Sequence, residues 1–163
     1  MSTFEPADSV WMADDLRRLG FTRSHVLPRR LDISYPDPRG RGPFCRLAVE
    51  VMPPARAGVY AWVADDTVGY IGRSDDLRQV VHGARMSRAY NDYTYMPPSK
   101  VAQSSSPRVL VNGRLNAALA VGAKVTWWWI AVESHLHAVQ LEARLLATLP
   151  PWNRHQPAVT TDL

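Results

Sequence analysis

Residues 58–72 read Gly58-Val59-Tyr60-Ala61-Trp62-Val63-Ala64-Asp65-Asp66-Thr67-Val68-Gly69-Tyr70-Ile71-Gly72. Two short runs rich in β-branched and aromatic residues, 58–63 and 67–72, flank Asp65-Asp66, and that pattern predicts a β-hairpin. The register matters because side chains alternate between the faces of a strand. A three-residue loop, Asp65-Asp66-Thr67, pairs Trp62 with Tyr70 and Tyr60 with Gly72. Both tyrosines then share a face, and Gly72 leaves space beside Tyr60; a two-residue turn sends them to opposite faces. Two aromatic residues packing a core would explain the same pair.

Downstream, Ser74 is placed to cap a helix over Asp75 to Met86. Residues 87–109 are rich in tyrosine, proline and serine and read as a long loop, of the kind that is functional or mobile. Asn112 can cap a helix from Gly113 to Val121, closed by Gly122. Lys124 to Val132 predicts a strand with Trp127, Trp128 and Trp129 at its centre. Trp127 and Trp129 share one face and Trp128 takes the other, so both faces are expected to be buried, although one could stack bases. Ser134 caps a last helix to about Leu149, stopped by Pro150-Pro151.

Upstream, Asp8 to Leu19 reads as a helix ended by Gly20. Residues 28–43, with Pro28, Pro36, Pro38, Pro43, Gly40 and Gly42, read as a loop or arm. The expected fold is α+β, with a small, mostly antiparallel, three-stranded sheet flanked by helices. Residues 1–56 form an N-terminal basic extension of helix and loop, and residues 57–163 the main domain carrying the inserted loop 87–109.

The 163 residues suffice for one ordinary domain, and 46% hydrophobic with 21% charged residues excludes a wholly disordered chain. No stretch is long and apolar enough for a membrane span, and the N-terminus lacks a signal-peptide pattern, so a cytoplasmic location and no membrane partner are expected. The single cysteine, Cys45, makes neither an internal disulfide nor a clustered zinc site. Of the 19 basic residues 17 are arginine, and residues 17–56 hold nine arginines against three acids. That suits a polyanion, with a solvated basic surface or arginine codon bias as the plainer causes. Arg29, Arg30, Arg39 and Arg41 here, with Arg85, Arg88 and Lys100 around the tyrosine-rich loop, are the candidate nucleic-acid contacts.

On the last predicted helix Ala138, Leu141, Leu145 and Leu149 form the apolar stripe, with Glu142 at its edge. A carboxylate there needs an arginine, solvent or a metal to offset its desolvation. His135 and His137, two apart on a helix, diverge and do not read as a metal pair.

Gly58-Val59-Tyr60, then Tyr70-Ile71-Gly72, then Leu141-Glu142, then Pro151-Trp152-Asn153, in this order and spacing, resemble the GIY-YIG nuclease superfamily over about residues 57–154. The resemblance implies a divalent-metal-dependent DNA endonuclease, with RNA as a possible alternative substrate. It implies Glu142 as ligand of one Mg²⁺ or Mn²⁺, Tyr60 with Tyr70 activating water, and Asn153 as a structural or substrate-positioning residue. A phenol of ordinary pKa, about 10, would need positive charge nearby for that task.

The catalytic arginine departs from the pattern. Family members commonly carry it ten residues after the second tyrosine, where this chain has Val80. Some place it later, in a segment similar to Asn112-Gly113-Arg114-Leu115-Asn116, so Arg114 is the first candidate, Arg78 the second and Arg73 the third. Without an arginine facing the tyrosines, the chain would be a catalytically degenerate, GIY-YIG-like nucleic-acid-binding module. A small-molecule enzyme on the same scaffold is a further alternative.

Overall fold

The computed structural model describes residues 5–34, 40–82, 85–86 and 107–153. In chain order the elements are α1 (Ala13–Arg18), β1 (Thr22–Ile33), β2 (Phe44–Val49), β3 (Gly58–Ala64), β4 (Thr67–Ser74), α2 (Leu77–Val80), β5 (Val81–His82), β6 (Arg85–Met86), α3 (Pro107–Ala120), β7 (Val125–Ala131) and α4 (His135–Leu145). The class is α+β. One sheet holds five strands in the order β2-β1-β7-β3-β4, every neighbouring pair antiparallel; β5 and β6 form a separate two-stranded pair.

Five strands replace the expected three because the proline- and arginine-rich upstream segment supplies β1 and β2. Pro28 lies inside β1, which corrects the reading of residues 28–43 as a loop over 28–33; Ser34 and residues 40–43 carry neither strand nor helix, as expected. Beyond Thr22–His25, where β7 pairs with it, β1 keeps its registered partner β2. A strand with a neighbour on one side tolerates a residue that lacks an N–H. The pairing with β2 shifts register between Pro28 and Arg30.

The hairpin pairs Trp62 with Tyr70 and Tyr60 with Gly72, as a three-residue loop would, but by another route. The turn has two residues, Ala64 pairs with Thr67, and a bulge after Val68 leaves Gly69 over, restoring the shared face of the tyrosines. Asp65 takes a φ of 53°, a conformation that Asp tolerates. Gly69 has no room for a side chain, since a Cβ there would lie 2.6 Å from the Trp152 ring.

Strand alternation sorts the core into two layers. On one face Tyr60, Trp62, Tyr70, Trp127 and Trp129 pack with Val111 and Leu115 of α3 and with Leu77, Val80 and Val81. On the other, Val59, Ala61, Ile71 and Trp128 pack with Trp11 and Leu16 near the N-terminus and Leu145 of α4. Both tryptophan faces are buried, as expected. The Trp11 indole N–H also reaches the carbonyls of Leu145, at 2.9 Å, and Thr148, at 3.1 Å, satisfying two that close α4.

Helix bounds differ from expectation where tertiary contacts intervene. α1 spans Ala13–Arg18 rather than starting at Asp8. α2 stops at Val80, because the β-branched Val81 enters a strand, and its cap is Asp76, whose carboxylate accepts from Arg78 N at 2.9 Å. Ser134 caps α4 as expected, its hydroxyl accepting from His137 N at 3.2 Å, and the helix ends at Leu145. α3 begins at Pro107, where a missing N–H costs nothing. Asn112 is therefore interior, and its amide turns to β2.

Candidate active site at the edge strand

β4 is an edge strand, and the predicted residues meet around its C-terminal half. Tyr60 and Tyr70 lie side by side, ring centroids 6.4 Å apart, with Trp127 5.8 Å from Tyr60. They are 1% and 6% exposed. A Cβ on Gly72 would sit 2.8 Å from the Tyr60 hydroxyl, so that hydroxyl lies over bare Gly72 backbone. Ring packing and phenol placement thus depend on the same glycine.

Asn153 holds this triplet from the open edge. Its carbonyl oxygen accepts from Ile71 N at 2.9 Å and its amide donates to Ile71 O at 2.9 Å. Trp152 N donates to Gly69 O at 2.8 Å. The segment after α4 thereby pairs with backbone groups that an edge strand otherwise leaves open. Asn153 positions the strand through its backbone.

Glu142 arrives from the other face. Arg73 pairs with Val59, a residue of the second layer, so its side chain leaves the sheet opposite the tyrosines. Its Nε lies 3.2 Å from Glu142 Oε1, with the side chains 41% and 21% exposed. Burial raises the Glu142 carboxyl above its ordinary value, and the charge and hydrogen bond of Arg73 oppose that rise. A folded chain that holds the proton more readily than the unfolded one gains stability below the ordinary carboxylate range. That gain is lost as pH rises through the raised value. Arg73→Ala removes the opposing charge, so Glu142 should titrate higher still, and the variant's stability deficit should shrink on acidification. Urea titrations of both chains at neutral and acid pH test this; a deficit that does not change with pH would disprove the coupling.

Of the three candidate arginines, Arg73 is the one brought to Glu142. Arg114 is exposed on α3, which packs on β2, β1 and β7, toward the opposite side of the sheet from β4. Arg78 is exposed, and its Nε donates to Pro53 O at 3.3 Å. Val80, at the usual arginine position, is buried in the first layer. His135 pairs with Asp75, and His137 lies 4.0 Å from Glu133.

No family model matches this chain, and neither curated proteins nor solved structures give a significant match. No described helix is long and apolar enough to cross a membrane. Among the described residues no three His, Cys, Asp or Glu side chains converge to hold a metal. Glu142 is a single, partly exposed carboxylate whose Oε1 already meets Arg73; a cation such as Mg²⁺, which takes one or two carboxylates and completes its shell with water and phosphate oxygens, would share it with that guanidinium.

Arg39, Arg88 and Lys100 lie outside the described residues, as does the expected loop up to residue 106. Arg29 and Arg30 are exposed on β1, Arg41 is half-buried before β2, and Arg85 falls in β6.

Instead of capping a helix, Asn112 and its neighbour Asn116 tie α3 to β2 and β1. Asn112 accepts from Cys45 N and donates to Cys45 O, both at 2.9 Å. Asn116 accepts from Asp32 N at 2.8 Å and donates to its carboxylate at 3.0 Å. Between them, a side chain on Gly113 would run into the Arg41 carbonyl oxygen. Their i, i+4 spacing places both amides on one helix face, which was a legible signal.

Proposed function

We propose that the chain is a divalent-metal-dependent DNA endonuclease whose GIY-YIG-type site lies at the C-terminal half of β4, with Arg73 as its arginine. The observation that carries this reading is the Arg73–Glu142 pair, one residue beyond the glycine over which the Tyr60 hydroxyl lies. An edge strand lets groups from both faces approach a substrate laid along its rim. In hydrolysis, water adds to phosphorus as the bond to the leaving oxygen breaks. The Tyr60 hydroxyl, supported by Tyr70, orients that water; Arg73 offsets the growing charge on the phosphate; Asn153 keeps Ile71 and its neighbours in place. A Mg²⁺ or Mn²⁺ held by Glu142 would supply positive charge at the leaving oxygen.

Nucleic-acid binding without hydrolysis is the second reading. It is favoured by the deep burial of Tyr60 and by the placement of both Arg73 and Glu142 on the face opposite the tyrosines, so that none of the three candidate arginines is shown facing them. Supercoiled plasmid with Mg²⁺, Mn²⁺ or EDTA separates the two. The native chain should nick DNA with metal, and Glu142→Ala and Arg73→Ala should each lose about 100- to 1,000-fold, while Arg114→Ala changes little. Full cleavage by Glu142→Ala would sink Glu142 as the metal ligand; salt-sensitive binding without any cleavage would establish the second reading.

A further inference from the structure

Two polar pairs join the end of β4 to α4. Arg73 Nε meets Glu142 Oε1, and two residues farther along the chain Asp75 Oδ1 meets His135 Nδ1. His135 and Glu142 are seven residues apart on α4, so they lie within about 20° of each other around the helix and roughly 10 Å apart along it. Arg73 and Asp75, two apart, are separated by at most roughly 7 Å. The pairs are therefore two rungs on one side of the sheet, roughly 7–10 Å apart. All four side chains reach solvent, and the Asp75–His135 pair is the more open, at 75% and 59% exposed. On α4 the residues between the rungs on this flank, Ala138 and Val139, are short and apolar. On β4 the Ser74 hydroxyl is bonded to Asp76. Asp75 accepting from Nδ1–H fixes a neutral imidazole with its lone pair on Nε2, directed away from Asp75.

Water that attacks phosphorus must lose a proton, and its acceptor has to be open to solvent and on the side where the arginine and the carboxylate stand. Tyr60 and Tyr70 are buried on the opposite face, whereas His135 meets both conditions. We propose that His135 is the general base of the hydrolysis and that Asp75 orients it; the inference rests on the nuclease reading for its substrate. Nε2 takes a proton from water as the water oxygen bonds to phosphorus and the bond from phosphorus to the leaving oxygen breaks. The leaving oxygen takes its proton from solvent. A base that holds water at about 3 Å, with that water about 3 Å from phosphorus, stands roughly 6 Å from phosphorus. A guanidinium bonded to a phosphate oxygen stands roughly 4 Å from phosphorus on the other side. The spacing of the rungs accommodates one phosphodiester and one water between His135 and Arg73. Asp75 is a positioning residue, because it acts through the ring alone.

The test is the rate of plasmid cleavage with Mg²⁺ or Mn²⁺ across a range of DNA concentrations, beside binding of a labelled duplex in EDTA. His135→Ala should lower turnover by about 100- to 10,000-fold. Duplex binding and melting temperature should match the native chain, since the side chain is exposed. Added imidazole should restore part of the lost turnover to His135→Ala and none to Glu142→Ala, a response that a merely structural histidine does not give. Asp75→Asn should lower turnover and leave KM unchanged. His137→Ala removes a ring that faces Glu133 and should cleave as the native chain does. Native-rate cleavage by His135→Ala, beside loss in Arg73→Ala and Glu142→Ala, would overturn the base and leave the nuclease reading standing. Loss in His135→Ala that imidazole does not relieve, or that His137→Ala shares, would overturn it as well. If the native chain cleaves with neither metal, the nuclease reading fails and the base fails with it.

Discussion

Asn112→Ala is expected to lower the free energy of unfolding by about 3–5 kcal/mol, a large fraction of the roughly 5–15 kcal/mol typical of a domain. Asn112 is fully buried and saturates both backbone groups of Cys45 on the outer strand β2. Alanine leaves the Cys45 donor and acceptor without their amide in a buried layer, each at about 1–3 kcal/mol, a cost that a water entering the vacated space would reduce. Asn112→Asp should be no better, because it keeps the acceptor but loses the donor and buries a charge. Urea unfolding followed by tryptophan fluorescence measures the difference. A loss below about 1 kcal/mol would mean that the strand finds other partners and that the amide is not what seats α3.

Asn153→Ala should cost about 2–4 kcal/mol for the same reason at the other edge, where Ile71 N and O lose their shared amide. Its consequence for the site is more specific. Ile71 lies between Tyr70 and Gly72, so freeing its backbone loosens the seat of the Tyr60 hydroxyl and the neighbouring Arg73. On the proposed function, cleavage should fall through turnover more than through substrate affinity. Asn153→Asp still accepts from Ile71 N but loses the donor to Ile71 O and buries a charge, so it should be no better than alanine. A destabilised Asn153→Ala chain that cleaved at the native rate would show that β4 geometry does not control the chemistry.

The hairpin shows how far local reading reaches. Alternation put Tyr60 and Tyr70 on one face if the register was right, and the register found is that one. The route to it was hidden: the extra residue, Gly69, is accommodated under Trp152, which comes from the far end of the chain. The Ser134 cap and the two faces of the Trp127–Trp129 run were legible because each depends on neighbours a few residues away. β1 was not, since Pro28 and the prolines and glycines that follow the strand argue for a loop until β2 and β7 supply hydrogen-bond partners.

The candidate site divides along the same line. The sequence by itself determined an α+β class, a hairpin with two tyrosines, and a glutamate at the edge of a helical stripe that needed a partner. Tertiary structure alone decided that the partner is Arg73 rather than Arg114, that five strands form the sheet, and that Asn112 and Asn153 close its two edges. The amide bonds to Cys45 and Ile71 join residues 67 and 82 positions apart. Periodicity and capping act within a turn or two of chain. Which distant group neutralises a buried charge, or satisfies an open strand edge, is settled only when the layers pack.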